Sequence, residues 1–120
     1  MKPGSQPPHQ PSRGEVWQVA LNPTRGREQS GERPAMIISV DKFDHGPADL
    51  VIVIPITKTN KNIPSHIFVP KGEGGLDVDS YIKVEDIRSI SKERLIRFRG
   101  DLSYPRIEAV QQILRVLLKL

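Results

Sequence analysis

Eight consecutive residues, Leu50-Val51-Ile52-Val53-Ile54-Pro55-Ile56-Thr57, constrain this chain more than any other stretch of it. Successive side chains of a strand point to opposite faces, so a run that is apolar at both odd and even positions must be covered on both. The segment therefore reads as a central strand with apolar packing on each side. Pro55 has no N–H to give to a ladder, which predicts a bulge or a strand end at that residue.

The rest of the chain arranges itself around that strand. Residues 15–21 alternate, with Trp17, Val19 and Leu21 on one face and Val16, Gln18 and Ala20 on the other, and Asn22-Pro23 ends them. A second strand is predicted over 33–40, followed by a polar connection over 41–49 punctuated by Gly46-Pro47. Residues 58–64 form a polar loop, 65–70 a short strand, 71–75 a glycine-rich turn and 80–84 another strand. Residues 85–90 carry no clear pattern, and 95–98 read as a short final strand. From Ser103 the period changes: Ile107, Val110, Ile113, Leu114 and Leu117 make a helical stripe. Ser103 is the predicted N-cap, Pro105 suits the first turn, and Glu108 and Lys119 suit the helix dipole. Five or six short antiparallel strands and one C-terminal amphipathic helix predict a mainly β fold, a small barrel or sandwich with the helix over an open side.

A chain of 120 residues makes one domain with one modest core. Residues 1–12, rich in Pro and Gln, have almost nothing to bury and are predicted to be a disordered tail, with the domain over 13–120 and His9 inert. The absence of cysteine excludes disulfides, thiolate zinc sites and cysteine nucleophiles. No apolar run or leader suggests a membrane span or a signal peptide, and a cytoplasmic location is expected. The net charge of +4 favours anionic partners, nucleic acid first, against the alternative of an ordinary basic surface.

The sharpest functional signal is the polar loop over 26–34, Gly-Arg-Glu-Gln-Ser-Gly-Glu-Arg-Pro. A loop that only turned the chain would need two or three turn-formers. Here Pro34 pushes Arg33 into an extended conformation at the mouth of a strand. A cation held stiffly there suits a phosphodiester.

Five segments occur here in the order and spacing of a known family: Arg13-Gly14-Glu15-Val16-Trp17, the 26–34 loop, Pro55-Ile56-Thr57, Pro64-Ser65-His66 and Ile87-Arg88-Ser89-Ile90. Together, over residues 13–120, they resemble the MazF/PemK/Kid-type toxins of bacterial type II toxin–antitoxin systems. The resemblance implies a plasmid-toxin barrel and a homodimer. It implies a metal-independent endoribonuclease with no cofactor, one that cuts single-stranded mRNA at short sequences without the ribosome. It also implies a cognate antitoxin that covers the RNA groove, with DNA met only through the toxin–antitoxin complex. By resemblance Arg33 and Thr57 are catalytic, Glu28 and Gln29 lie near the RNA, and Glu85 takes an acid position in the segment that also holds Lys83, Asp86 and Arg88. Arg27 adds a second loop cation, and Ser30, Lys58 and Lys61 complete the expected RNA contacts.

Cleavage of this kind uses the ribose 2′-hydroxyl as nucleophile and leaves a 2′,3′-cyclic phosphate and a 5′-hydroxyl. Arg33 suits stabilisation of phosphorane charge, since a guanidinium is bidentate and stays protonated. Thr57 can donate one hydrogen bond to a non-bridging oxygen. Glu28 is the first candidate for general base and Glu85 the second. Plainer roles stand beside these: Arg33 paired with Glu32, Thr57 as strand filler, Lys58 and Lys61 as solvated charges, His66 as a packing or capping residue, and His45 as a solvated loop residue. No cluster has metal-ligand spacing. Two other functions remain open on this barrel. One is a non-catalytic nucleic-acid-binding or autorepressor module, against which counts the lack of an evident aromatic stacking platform. The other is a gyrase poison, disfavoured because the chain ends Leu117-Leu118-Lys119-Leu120 without the Trp-Gly-Ile type tail of such toxins.

Overall fold

A computed structural model of the chain describes residues 9–21 and 31–120. Seven strands follow in order: β1 Glu15–Ala20, β2 Glu32–Ile37, β3 Leu50–Thr57, β4 His66–Val69, β5 Ser80–Lys83, β6 Arg88–Ser91 and β7 Leu95–Asp101. Two helices accompany them, the single turn α1 Asp41–Asp44 and the long α2 Tyr104–Leu118. Every pairing is antiparallel, along the path β4-β5-β3-β2-β1-β7 with β6 added to β3. The sheet is curled and has two ends, β4 and β7; among the described residues it does not close into a full barrel.

β3 is central, as its doubly apolar pattern requires. β2 runs along one side of it. On the other side β6 pairs with Leu50 to Val53, and β5 with Ile56 and Thr57. Pro55 sits where the partner changes from β6 to β5. The strand neither ends nor bulges there as expected: its missing donor falls in the gap between two neighbours. One apolar cluster joins Val16, Met36, Ile54, Ile56, Ile82 and Val110 of α2. The other, on the opposite face, joins Trp17, Val19, Ala35, Ile37, Val51, Val53 and Ile90. Register shifts in the β1–β7 ladder, on both sides of Trp17-Gln18, bend the sheet around this second cluster.

Several elements differ from the sequence reading. The unassigned stretch before Ile90 is a short 3-10 turn, Val84–Asp86, followed by β6. β7 runs on to Asp101. The connection over 41–49 contains α1 because buried Asp44 accepts the Ser39 hydroxyl, whose oxygen in turn accepts Ile52 N–H at 2.9 Å. His45, expected to be solvated, bonds the Pro11 carbonyl through Nε2 at 2.8 Å. His9, predicted inert, stacks on Phe98 at 4.3 Å and bonds Glu15 at 2.8 Å. Residues 1–8 lie outside the described residues.

The Arg-Gly-Glu-Val-Trp segment locks β1 to the helix. Arg13 donates to the Ile38 carbonyl and to Gln111 of α2. Gly14, at φ +92°, leaves room for Ile107, whose Cδ1 would stand 2.5 Å from a Cβ there. Buried Glu15 accepts Trp17 Nε1–H at 3.0 Å and Ser12 N–H at 2.9 Å.

α2 packs on β4 and on the Val84–Asp86 turn. Val110 is fully buried, and Ile107, Ile113 and Leu114 pack against the first cluster. Leu117 leaves the predicted stripe and is 48% exposed. Ser103 holds the N-cap position but caps nothing with its side chain. Its N–H and hydroxyl both donate to Glu73 at 3.0 Å, and Arg106 also pairs with Glu73. Burial pushes the Glu73 carboxyl up, but the bonds from Ser103 and Arg106 outweigh it and hold the group below its ordinary value.

Candidate active site

The β2–β3 register sets Ala35 opposite Pro55. Continued by two residues, it sets Arg33 opposite Thr57, and Thr57 is itself opposite Tyr81 on β5. Arg33 and Thr57 therefore share one face of the sheet at the open end of two strands. They line a cleft of about 690 Å³ together with Leu21, Pro55, Lys83, Glu85, Asp86 and Arg88. They also border a second cavity of about 270 Å³ on the side of Lys58, Asp77 and Arg99.

Arg33 is exposed and makes no hydrogen bond or ion pair among the described residues. Thr57 is half-buried, and its Oγ1 accepts Thr59 N–H at 3.1 Å, which orients the hydroxyl group. Lys83 pairs with Asp86 at 3.0 Å. Arg88 is exposed on β6, opposite Val53. Lys58 is exposed beside the smaller cavity, and Lys61 is exposed further along the loop, away from both cavities. Arg27, Glu28, Gln29 and Ser30 lie outside the described residues.

Glu85 projects from the Val84–Asp86 turn that α2 supports. Its carboxylate accepts the Ser65 hydroxyl at 2.6 Å and contacts His66 Nε2 at 2.8 Å. Burial acts to raise this carboxyl. The bonds from Ser65 and His66, with the Glu85 backbone N–H and the His66 charge, override that and hold it down at about 2. The His66 side chain is only 3% exposed, and its Nδ1 has no hydrogen-bond partner among the described residues. The packing role predicted for His66 is present, but the bond to Glu85 was not anticipated. The β4–β5 hairpin creates it by placing His66 opposite Lys83, two residues before Glu85. A His and a Glu 19 residues apart give no signal of this until the hairpin register is known.

Phe68 and Tyr81 are two of the few aromatic residues that could have formed a stacking platform, and only their pairing was hidden in the sequence. They stand opposite each other on β4 and β5 with ring centroids 5.6 Å apart. They border a cavity of about 490 Å³ that His66 also lines. Among the described residues no three His, Asp or Glu groups converge as metal ligands, and no helix is long and apolar enough to cross a membrane.

This open, curled antiparallel sheet with a helix laid on one face is the fold of the MazF toxins. The crystal structure of MazF from Deinococcus radiodurans matches with a TM-score of 0.79 and 23% identity, over 93% of this chain and 99% of that one. An endoribonuclease in complex with its cognate antitoxin, from a mycobacterial species, matches with a TM-score of 0.75 and 21% identity, over 92% and 96%. Residues 12–118 match the family described as PemK-like, MazF-like toxin of type II toxin–antitoxin system, and the chain belongs to that family. It is 34% identical over 113 residues to Endoribonuclease MazF9 of Mycobacterium tuberculosis, covering 90% of this chain and 96% of that protein.

Proposed function

We propose that this toxin is an endoribonuclease that cuts single-stranded mRNA at the Arg33–Thr57 pair, without the ribosome and without a metal ion. One observation carries the reading. An exposed guanidinium with no partner among the described residues lines one cleft with a threonine hydroxyl, Lys83 and Arg88. Pro34 restricts the Arg33 backbone to an extended form, which holds the guanidinium at the mouth of the cleft. There it is left for an anion.

Arg33 holds the non-bridging oxygens of the scissile phosphate and takes up the charge that develops on them. Thr57 donates one further hydrogen bond there. Arg88 and Lys58 hold phosphates on the two sides of that point, with Lys61 farther along the strand. Lys83, already paired with Asp86, keeps that acid from repelling the backbone. The 2′-hydroxyl attacks the phosphorus, its proton passes to a base, and the 5′-oxygen leaves protonated. The products are a 2′,3′-cyclic phosphate and a 5′-hydroxyl.

Glu85 is a poor acceptor for that proton. A carboxylate held at about 2 binds protons weakly, and both of its oxygens are engaged. We assign it to positioning: it fixes Ser65 and His66 and sets the negative wall of the cleft. The base role goes to Glu28, with Arg27, Gln29 and Ser30 as RNA contacts on the same loop. The protein acts in the cytoplasm as a homodimer. A cognate antitoxin covers the cleft, and DNA is met only through that complex.

The test is incubation with long single-stranded RNA in excess EDTA, with mapping of new 5′ ends. The expected result is cuts at one short recurring sequence, with 5′-hydroxyl ends, lost in Arg33→Ala. Equal cutting by Arg33→Ala would overturn the assignment, and RNA that is bound but stays whole would move the protein to the binding-module class.

A further inference from the structure

The row that begins at Arg33 does not end at Thr57. Tyr81 is directly opposite Thr57, and Phe68 is directly opposite Tyr81. Residues opposed in a ladder share a face. The neighbouring row, Ile56, Ile82 and Ile67, is the one turned to the core. Arg33, Thr57, Tyr81 and Phe68 therefore stand in one outward row across β2, β3, β5 and β4. Strand spacing puts Phe68 roughly 10 Å from Thr57 across the sheet.

Single exposed apolar residues are ordinary on protein surfaces. This pair is different in three respects. Phe68 is 45% exposed, yet its ring meets Tyr81 at 5.6 Å and 50° rather than lying loose. The two rings wall a cavity of about 490 Å³ that Asn60 and Asn62 also line, with Asn60 Oδ1 accepting the Asn62 backbone N–H at 2.9 Å. His66, which lines that cavity, bonds Glu85, which lines the main cleft.

We propose that Phe68 and Tyr81 hold one nucleobase of the RNA strand, flanking the phosphate at Arg33 and Thr57, with Asn60 and Asn62 reading its edge. The inference rests on the endoribonuclease reading and adds a base-binding subsite to it. Aromatic rings suit any base face, whereas an amide offers both a donor and an acceptor to a base edge. A strand whose phosphate lies on Arg33 has this row as its direct path across the sheet. Selectivity for the flanking nucleotide follows from the amides, and affinity from the rings.

The probe is a short RNA built around a mapped cut site, with a 2′-O-methyl group at the attacking ribose and 2-aminopurine moved along it one position at a time. The native protein should quench 2-aminopurine at one flanking position. Phe68→Leu and Tyr81→Leu should abolish that quench and weaken binding roughly 5- to 150-fold, the range expected for losing one stacked base. Phe68→Trp should restore both. Phe68 is an exposed edge-strand residue, so the leucine variant keeps the fold, as circular dichroism would verify. Native quenching and affinity in both leucine variants would overturn the proposal while leaving the nuclease reading intact. So would normal RNA binding together with lost binding of the cognate antitoxin, which would give the pair to a protein partner. A native protein that neither cuts nor binds RNA would defeat the nuclease reading, and this subsite with it.

Discussion

Replacing Glu85 by glutamine removes a carboxylate whose ionisation is coupled to folding, so the cost should depend on pH. In the folded chain Ser65 and His66 hold this group at about 2, against an ordinary value of 4.5. Taken whole, that difference corresponds to an upper bound of about 3 kcal/mol. The side chain is 36% exposed, however, and ion pairs open to water keep only about 0–1 kcal/mol. The expected contribution is therefore about 1 kcal/mol, or roughly 4 °C in Tm for a domain of this size. The folded value lies below the unfolded one. The stabilisation is thus complete above about 4.5 and is lost as pH falls towards about 2. Urea unfolding of the native protein and Glu85→Gln, in steps from about pH 7 to pH 3, measures it. The native protein should lead by about 1 kcal/mol at neutral pH, and the lead should shrink in acid. A lead that is absent at neutral pH, or that persists unchanged into acid, would refute the coupling. Cleavage gives a second readout: as a positioning residue, Glu85→Gln should lower RNA turnover without shifting the alkaline side of its pH profile.

Other substitutions probe other parts of the structure. Arg33→Lys keeps the charge but loses the bidentate fork, and should lower cleavage roughly 100-fold with Tm unchanged; near-native turnover would mean that charge alone suffices. Gly75→Ala should destabilise by more than about 2 kcal/mol in urea melts, because its φ is +70° and a Cβ would lie 2.1 Å from the Arg99 carbonyl oxygen. Gly72→Ala, at φ +98° with nothing near its Cβ, should show only the smaller backbone cost. Glu15→Ala strands the buried Trp17 indole N–H and the Ser12 N–H, and should cost about 2–4 kcal/mol while shifting tryptophan emission.

The doubly apolar run of β3 and the helical stripe of α2 were legible because each is a local periodicity. Burial of alternate or of every residue leaves its mark in the order of amino acids itself. The same local logic found β1, β4 and β5 to within a residue, and β2 with its end set three residues too late. It missed β6, three of whose four residues are polar, yet which completes the far side of β3. It missed α1, which exists because Asp44 is drawn into the interior by Ser39. Leu117 fits the helical period but joins neither apolar cluster, so its spacing predicted a burial that the packing does not provide.

The candidate site divides in the same way. Its residue types, a cation pinned before a proline and a threonine at the end of the central strand, are visible in the sequence, and the ordered motifs point to the toxin family. Their partners are not visible. Arg33 shares a cleft with Thr57, His66 bonds Glu85, and Phe68 faces Tyr81, all through pairings between residues far apart in the chain. A Phe and a Tyr on separate strands each look like strand filler, so no stacking platform was apparent. Sequence alone determined that β3 is buried on both faces, where the long C-terminal helix lies and which side chains carry charge, because those follow from composition and period along the chain. Only the tertiary structure decided which of these side chains share a face, since register between strands is set by core packing on both sides of β3 and by no local signal.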